Sequence, residues 1–369
     1  MEPTKRPTRD YPSYSGTPWN LWEVMYARRS HRKYLLMRID TETVASLEGM
    51  IRLAFRVRGA VEGSLTAVTE PDGVEEIRRR VYRGLQGKIN LWLTRSSPAG
   101  FLVLTVPDGD YRADRPRLMP AIAMAAEDCV LWLTEAGLAT CWLGGISQRE
   151  TRKALGLERH TALPAVIAIG GPKPKIKARD MDHMVYRRLS RHRKPLSSIA
   201  SLESKPHSYA VGELPHTAFQ ASPVQDIAGL LEKLAEGRPG EDDVPMELAV
   251  DACLEAARIA PNGGNLQNWH FTVVMRLDNL EKLQEACGGR EGWRAAIVAA
   301  GHPGGIEAAM LDKPFWMLDV PIALSHMSIM AASMGCGVDV HIDGYDETEV
   351  NELVDLGSGL RTVGVLGIR

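Results

Sequence analysis

Cysteine is scarce in this chain and poorly spaced for chemistry. There are five (Cys129, Cys141, Cys253, Cys287, Cys336), and none forms a CxxC pair. Structural zinc sites, iron–sulfur clusters and redox dithiols therefore have no support, and the five read as small core residues. No apolar run approaches the ~20 residues that cross a bilayer, so no membrane partner is expected. The N-terminal stretch MEPTKRPTRDYPSYSG is polar and proline-rich and lacks the apolar core of a signal peptide, which predicts a cytoplasmic location. GxSxG and HExxH are missing, and no Cys/His pairing is evident. No side-chain nucleophile and no metal site are expected; His341-Ile342-Asp343 reads as a turn. Aromatic residues make up only 6% and do not interleave with the basic ones, so no nucleic-acid partner is expected.

What is present is ordinary in bulk and uneven in distribution. The length of 369 residues suggests two domains, and 44% hydrophobic with 24% charged residues suits a globular protein. The net charge is −2, yet residues 1–200 hold 33 Lys and Arg against 21 Asp and Glu, while residues 201–369 hold 11 against 25. Two readings suit this split, and both can hold: halves of opposite sign that pack on each other, or a basic half that holds an anionic cofactor.

The chain repeats itself. Leu118–Leu157 and Trp316–Leu356 each show a long apolar helix ending at a glycine (Gly137, Gly335), a β-like run, a glycine turn and a polar helix. Each is followed by an apolar strand, ALPAVIAIGG (162–171) and LRTVGVLGIR (360–369). Upstream, helices over Thr43–Val57 and Met246–Ile259 each lead to a strand, SLTAVTE (64–70) and HFTVVMR (270–276). The pattern predicts an α+β fold of two tandem related domains, each a mixed central sheet flanked by helices. The domains are expected at 1–200 and 245–369, joined by a connector over 201–244.

Three local motifs stand out. Arg28-Arg29-Ser30-His31-Arg32 follows the helical WNLWEVMYA. Clustered guanidinium groups with a hydroxyl suit a phosphate monoester, and equally a solvated basic helix end. Ala260-Pro261-Asn262-Gly263-Gly264-Asn265-Leu266-Gln267-Asn268-Trp269 lies between a helix and a strand. Its proline stops the helix, its glycines allow close backbone approach, and its amides suit a heterocycle or polyol; a plain turn-rich loop is the alternative. Cys141-Trp142-Leu143-Gly144-Gly145-Ile146 puts a glycine pair after a strand, where backbone N–H groups become available.

Taken together, these motifs resemble the nitroreductase family of FMN-dependent oxidoreductases. That family shows an Arg-x-Ser-x-Arg/Lys motif after its first helix, an Ala-Pro-Ser/Gly-x-x-Asn-x-Gln-Pro-Trp loop, and a later Gly-Gly segment. A basic motif near a Pro-Leu completes the set, here Arg191-His192-Arg193-Lys194-Pro195-Leu196. The likeness covers roughly 19–200 and 245–369, and Asn268 departs from it where the family usually has proline.

Members are generally homodimers with the flavin at the dimer interface, and this chain divides the motifs between its halves. The first half has the Arg-Ser-Arg cluster, the Gly-Gly segment and the basic motif, but its counterpart to the amide loop, residues 57–63, has no amides. The second half has the amide loop and no Arg cluster. The resemblance thus implies an intramolecular pseudo-dimer with one complete FMN site. In it Arg28, Arg29 and Ser30, with Arg191 and Arg193, meet the phosphate, and Arg32 supports the N1/O2 edge of the ring electrostatically. Gly144 and Gly145 bring a backbone N–H towards N5. Pro261, Asn262, Gly264, Asn265 and Gln267 line the ring and ribityl chain.

The implied activity is NAD(P)H-dependent reduction of a small electron acceptor, a nitroaromatic, a quinone or similar, by ping-pong turnover with NADH or NADPH as donor. Two other readings are an FMN storage protein with little turnover and a relative with other flavin chemistry.

Overall fold

A computed structural model describes residues 21–81, 97–172, 193–203, 226–237, 244–304 and 314–369. Arg191, singled out in the sequence, lies outside the described residues, as does most of the connector. The chain divides into two compact units, one built on residues 26–192 and the other on residues 193–369 with the start of the first helix, α1 (Leu21–Ala27).

In the first unit a five-stranded sheet contains β1 (Tyr34–Leu35), β2 (Leu65–Val68), β3 (Gly100–Leu104), β5 (Ala139–Leu143) and β7 (Val166–Pro172). Strand β7 is the hub. It pairs antiparallel with β3 on one side and with β5 and β1 in succession on the other. A small ribbon joins β4 (Val106–Pro107) to β6 (Thr161–Ala162). Helix α2 (Thr41–Arg58) starts where Asp40 accepts from the Thr43 N–H at 2.8 Å, and packs on α5 (Leu118–Glu135). Helix α3 (Pro71–Val81) packs on α6 (Gln148–Ala154), while α4 (Asp108–Tyr111) is a single turn. Alternate residues of the strands, Phe101 and Val103, Val166 and Ala168, join Val74, Ile77 and Val81 in one buried cluster.

The second unit repeats the layering. Its sheet runs β11 (Val338–His341), β12 (Arg361–Ile368), β10 (Ala295–Gly301), β9 (Trp269–Val274), β8 (Ala200–Leu202). All pairs are antiparallel except β8 with β9, which is parallel and sets Ala200 against Phe271. Helix α8 (Met246–Ile259) packs on α10 (Trp316–Ser333), and α7 (Ile227–Glu236) also packs on α10. Helix α9 (Leu277–Cys287) packs on α11 (Glu347–Leu353). Leu280, Leu283, Trp293, Val298, Val350 and Val365 form the cluster between those two helices and the sheet. The pairs α2/α5 and α8/α10 are equivalent, as are α3/α6 and α9/α11, which is the tandem α+β arrangement expected from the repeat.

Packing departs from the expected boundaries. Residues 193–200, expected in the first domain, and 201–203, expected in the connector, form one segment that supplies β8 to the second unit's sheet. The expected connector, 201–244, includes α7, which is packed against α10. Strand pairing explains both: β9 would be a bare sheet edge without β8. Among the described residues, no helix is long and apolar enough to cross a membrane.

Candidate functional site

The sequence-selected residues fall into two groups, one in each unit. In the first unit, α1 ends at Ala27 and the chain then runs alongside β5. Ser30 forms a parallel bridge with Thr140, and the His31 N–H donates to the Thr140 carbonyl at 2.8 Å. The Arg cluster is thereby held beside the strand that carries Trp142 and leads to Gly144 and Gly145. A buried acid strengthens the link: Glu127 of α5, wholly buried, accepts from Trp142 Nε1 at 2.8 Å and lies 3.9 Å from Arg28 Nε.

His31 is buried and stands among arginines. Burial, then the charges of Arg29, Arg28 and Arg32, hold its imidazole well below the usual histidine pKa. It is therefore neutral, and its Nε2 accepts from Arg29 Nε at 3.1 Å, which leaves the ring proton on Nδ1. Tyr34 Oη donates to the His31 carbonyl at 2.6 Å, and Arg32 Nη1 to the Ser30 carbonyl at 3.4 Å. Clustered guanidinium groups of Arg28, Arg29 and Arg32 with the hydroxyl of Ser30 between them are the kind of donor set that fits the phosphate of FMN.

In the second unit α8 ends because Ala260 is extended ahead of Pro261 (ψ 149°). The Ile259 carbonyl left at its end accepts from Arg193 Nη2 at 3.1 Å. Residues 263–265 then make a short 3-10 turn, with Gly264 at φ 57°, Asn265 at 59° and Gln267 at 52°. Three successive features hold this shape. The Gly263 N–H donates to both carboxylate oxygens of Asp319, in the first turn of α10, at 3.0 Å. The Gln267 N–H donates to Asn262 Oδ1 at 2.9 Å. Lys194 donates from its backbone N–H to Gln267 Oε1 (2.8 Å) and from Nζ to the Gln267 carbonyl (3.0 Å).

These contacts give two of the expected site residues bonds within the second unit. Arg193, grouped in the sequence with the Arg-Ser-Arg cluster, lies in the other unit and bonds the end of α8. Gln267, expected to face a ligand, is buried, and its amide bonds Lys194 and the Asn265 carbonyl (3.2 Å). The structure thus brings Arg28, Arg29, Ser30, Arg32, Gly144 and Gly145 together in one unit. It brings Arg193, Pro261, Asn262, Gly264, Asn265 and Gln267 together in the other.

Sequence reasoning passed over Glu127, Lys194 and Asp319. The acids carried a signal: Asp319 is the sole acid of α10, and Glu127 and Asp128 sit mid-way in an apolar helix, where a carboxylate requires a partner. Lys194 carried none, because its partner lies 73 residues away. The five cysteines are buried free thiols, and burial pushes Cys287 up to about 12. Among the described residues, no group of three or more His, Cys, Asp or Glu could hold a metal ion.

Residues 116–213 match the family described as "Putative TM nitroreductase", and residues 240–302 match the "Nitroreductase family". A curated protein of Archaeoglobus fulgidus, "Putative NADH dehydrogenase/NAD(P)H nitroreductase", is 31% identical over 91 residues, 24% of this chain. The chain spans about half the length of that relative, 51%. A solved structure of a "putative nitroreductase" from Anabaena variabilis is 12% identical and covers 99% of this chain and 94% of its own, with a TM-score of 0.52. An "FMN-dependent Nitroreductase" from Clostridium difficile is 18% identical and covers 45% of this chain and 95% of its own, with a TM-score of 0.32. Two separate segments match nitroreductase models and the same layered fold recurs in both units, so the chain is a tandem of two nitroreductase-like domains.

Proposed function

We propose that this protein is an FMN-dependent oxidoreductase that takes electrons from NADH or NADPH and gives them to a small acceptor of the nitroaromatic or quinone class. The observation that carries the reading is the division of donors. The cationic cluster that suits a phosphate occurs once, around Ser30, and the amide loop that suits a flavin ring occurs once, at Pro261–Gln267. One FMN per chain follows. When bound, FMN supplies reversible two-electron chemistry, accepting a hydride from the nicotinamide and passing the electrons on to the acceptor.

The chain's own residues bind and orient. Arg28 and Ser30 grip the phosphate, with Arg191 of the basic motif as a further partner. Arg32 sets a positive charge at the N1/O2 edge, where charge builds up on reduction. Gly144 and Gly145 offer backbone N–H groups near N5, close to which no side chain of theirs intrudes. Pro261, Asn262, Gly264 and Asn265 line the ring and ribityl chain. Gln267 and Arg193 act one step back, by holding the loop and the helix end.

The test is a visible spectrum of the purified full chain with FMN quantified, followed by anaerobic NADPH and then NADH. One FMN per chain, bleached within seconds by either nucleotide, is the expected result. Two FMN per chain would overturn the division of donors, and an FMN that neither nucleotide reduces would overturn the reductase activity.

A further inference from the structure

The amide loop carries an unusual backbone burden. Asn265 and Gln267 are both left-handed, at φ 59° and 52°, a conformation that non-glycine residues keep only when their surroundings over-determine it. Gln267 is the knot of the loop. Its N–H goes to Asn262 Oδ1, its Nε2 to the Asn265 carbonyl, and its Oε1 and carbonyl both go to Lys194.

Lys194 is a suitable anchor because it is itself fixed on both sides. Before it, Arg193 is bonded to the Ile259 carbonyl. After it, Pro195 leads into a short turn, the Phe271 N–H donates to the Ile199 carbonyl at 2.8 Å, and Ala200–Leu202 join the sheet beside β9. The strap of residues 193–202 therefore brackets the loop, touching its start at Ile259, its end at Gln267 and the strand that follows. The ammonium of Lys194 bonds the carbonyl of Gln267, one of the two left-handed residues, at 3.0 Å.

We propose that Lys194 is a positioning residue that sets the amide loop in its ligand-ready form, so that flavin affinity depends on an ammonium that does not itself touch the flavin. The consequence for FMN rests on the function proposed above; the consequence for the loop does not. The bond at stake is one charge-assisted hydrogen bond, which corresponds to about a tenfold change in an equilibrium that requires the ordered loop.

The experiment uses the full chain as wild type, Lys194→Met and Lys194→Arg. Two quantities are read: amide hydrogen exchange at Asn265, Leu266, Gln267 and Asn268 without added flavin, and the dissociation constant for FMN by fluorescence quenching. Lys194→Met is expected to speed exchange at those amides by about tenfold, with β9 and β10 unchanged, and to weaken FMN binding by about tenfold. Lys194→Arg, which keeps a cationic donor, is expected to restore both to within about threefold. Unchanged exchange and affinity in Lys194→Met would overturn the proposal. So would a general rise in exchange across the second unit with unchanged FMN affinity, which is the result of a purely structural role. If the wild-type chain binds no FMN, the functional reading fails, and the local exchange result alone decides whether Lys194 sets the loop.

Discussion

The helix that precedes the second strand ends differently in the two halves. Helix α2 is finished by its own chain: Gly59 turns left-handed at φ 66° and its N–H closes on the Phe55 carbonyl. Its last side chain, Arg58, turns inward to a bidentate bond with Asp128 of α5, at 2.7 and 2.9 Å, with both residues buried. Helix α8 is finished by distant parts of the chain. Arg193 takes its last carbonyl, Asp319 takes the Gly263 N–H of the loop, and Lys194 ties down its far end. A helix end closed locally leaves a short turn with nothing to offer a ligand. A helix end closed from a distance can keep a loop of amides in an otherwise unfavourable shape.

The largest expected effect breaks the closed end. Asp128→Ala leaves the Arg58 guanidinium buried without its carboxylate and should cost about 3–5 kcal/mol in urea unfolding. Replacing the pair together, Arg58→Met with Asp128→Leu, should recover most of that loss, because both charges are then gone. A double variant no more stable than Asp128→Ala would show that the pair does more than neutralise itself.

The next effect loosens the open end. Asp319→Ala removes the acceptor of the Gly263 N–H and should cost about 1.5–3 kcal/mol, the range for hydrogen bonds to charged groups. Asp319→Asn keeps an acceptor and should cost less than half of that. Equal losses in the two variants would mean that the carboxylate charge, not the bond, matters.

A smaller effect comes from Gly59→Ala, near 1 kcal/mol. No atom lies within 4 Å of the added Cβ, so the cost is conformational alone. Gly59→Asn, which tolerates the left-handed region, should fall between the two in thermal unfolding; an asparagine as costly as alanine would point to a clash instead.

The last prediction concerns pH. The folded pKa of His31 is held below the ~6.5 of an unfolded chain, so the unfolded state binds more protons between the two values. Stability is therefore full above pH ~6.5 and falls as the pH drops below it, by at most about 1.4 kcal/mol per pH unit from this group. His31→Leu should flatten the unfolding midpoint against pH below 6.5 relative to wild type. Parallel curves would show that other groups, such as His270 and His341, whose pKa values burial also lowers, carry the whole acid limb.

Much of the fold was legible because it is written in local periodicity. The helix expected over Met246–Ile259 is α8 to the residue, and Thr43–Val57 lies within α2. The strands expected at 270–276 and 360–369 correspond to β9 and β12. Of the site, the motif residues were legible as types, since guanidinium groups and amides announce their chemistry. Their partners were not. Arg193 reaches Ile259, Lys194 reaches Gln267 and Glu203 caps the start of α9 through Met275, Arg276 and Asn279, all across 66 to 76 residues. Local pattern carries no information at that separation. It assigned Arg193 to the domain it follows in sequence, whereas sheet pairing assigns it to the domain it precedes.

The parallel strand β8 also governs where this chain can be divided. A break in the connector expected from the sequence, after residue 203, would take β8 away from β9 and leave that edge of β9 (Trp269–Val274) without its parallel partner. Such an edge invites strand addition from another molecule, so that fragment would tend to self-associate. A break just before residue 193 keeps the edge covered and keeps Arg193 on Ile259. The natural unit of exchange in this tandem is thus not the repeat seen in the sequence but the repeat together with the strand that precedes it.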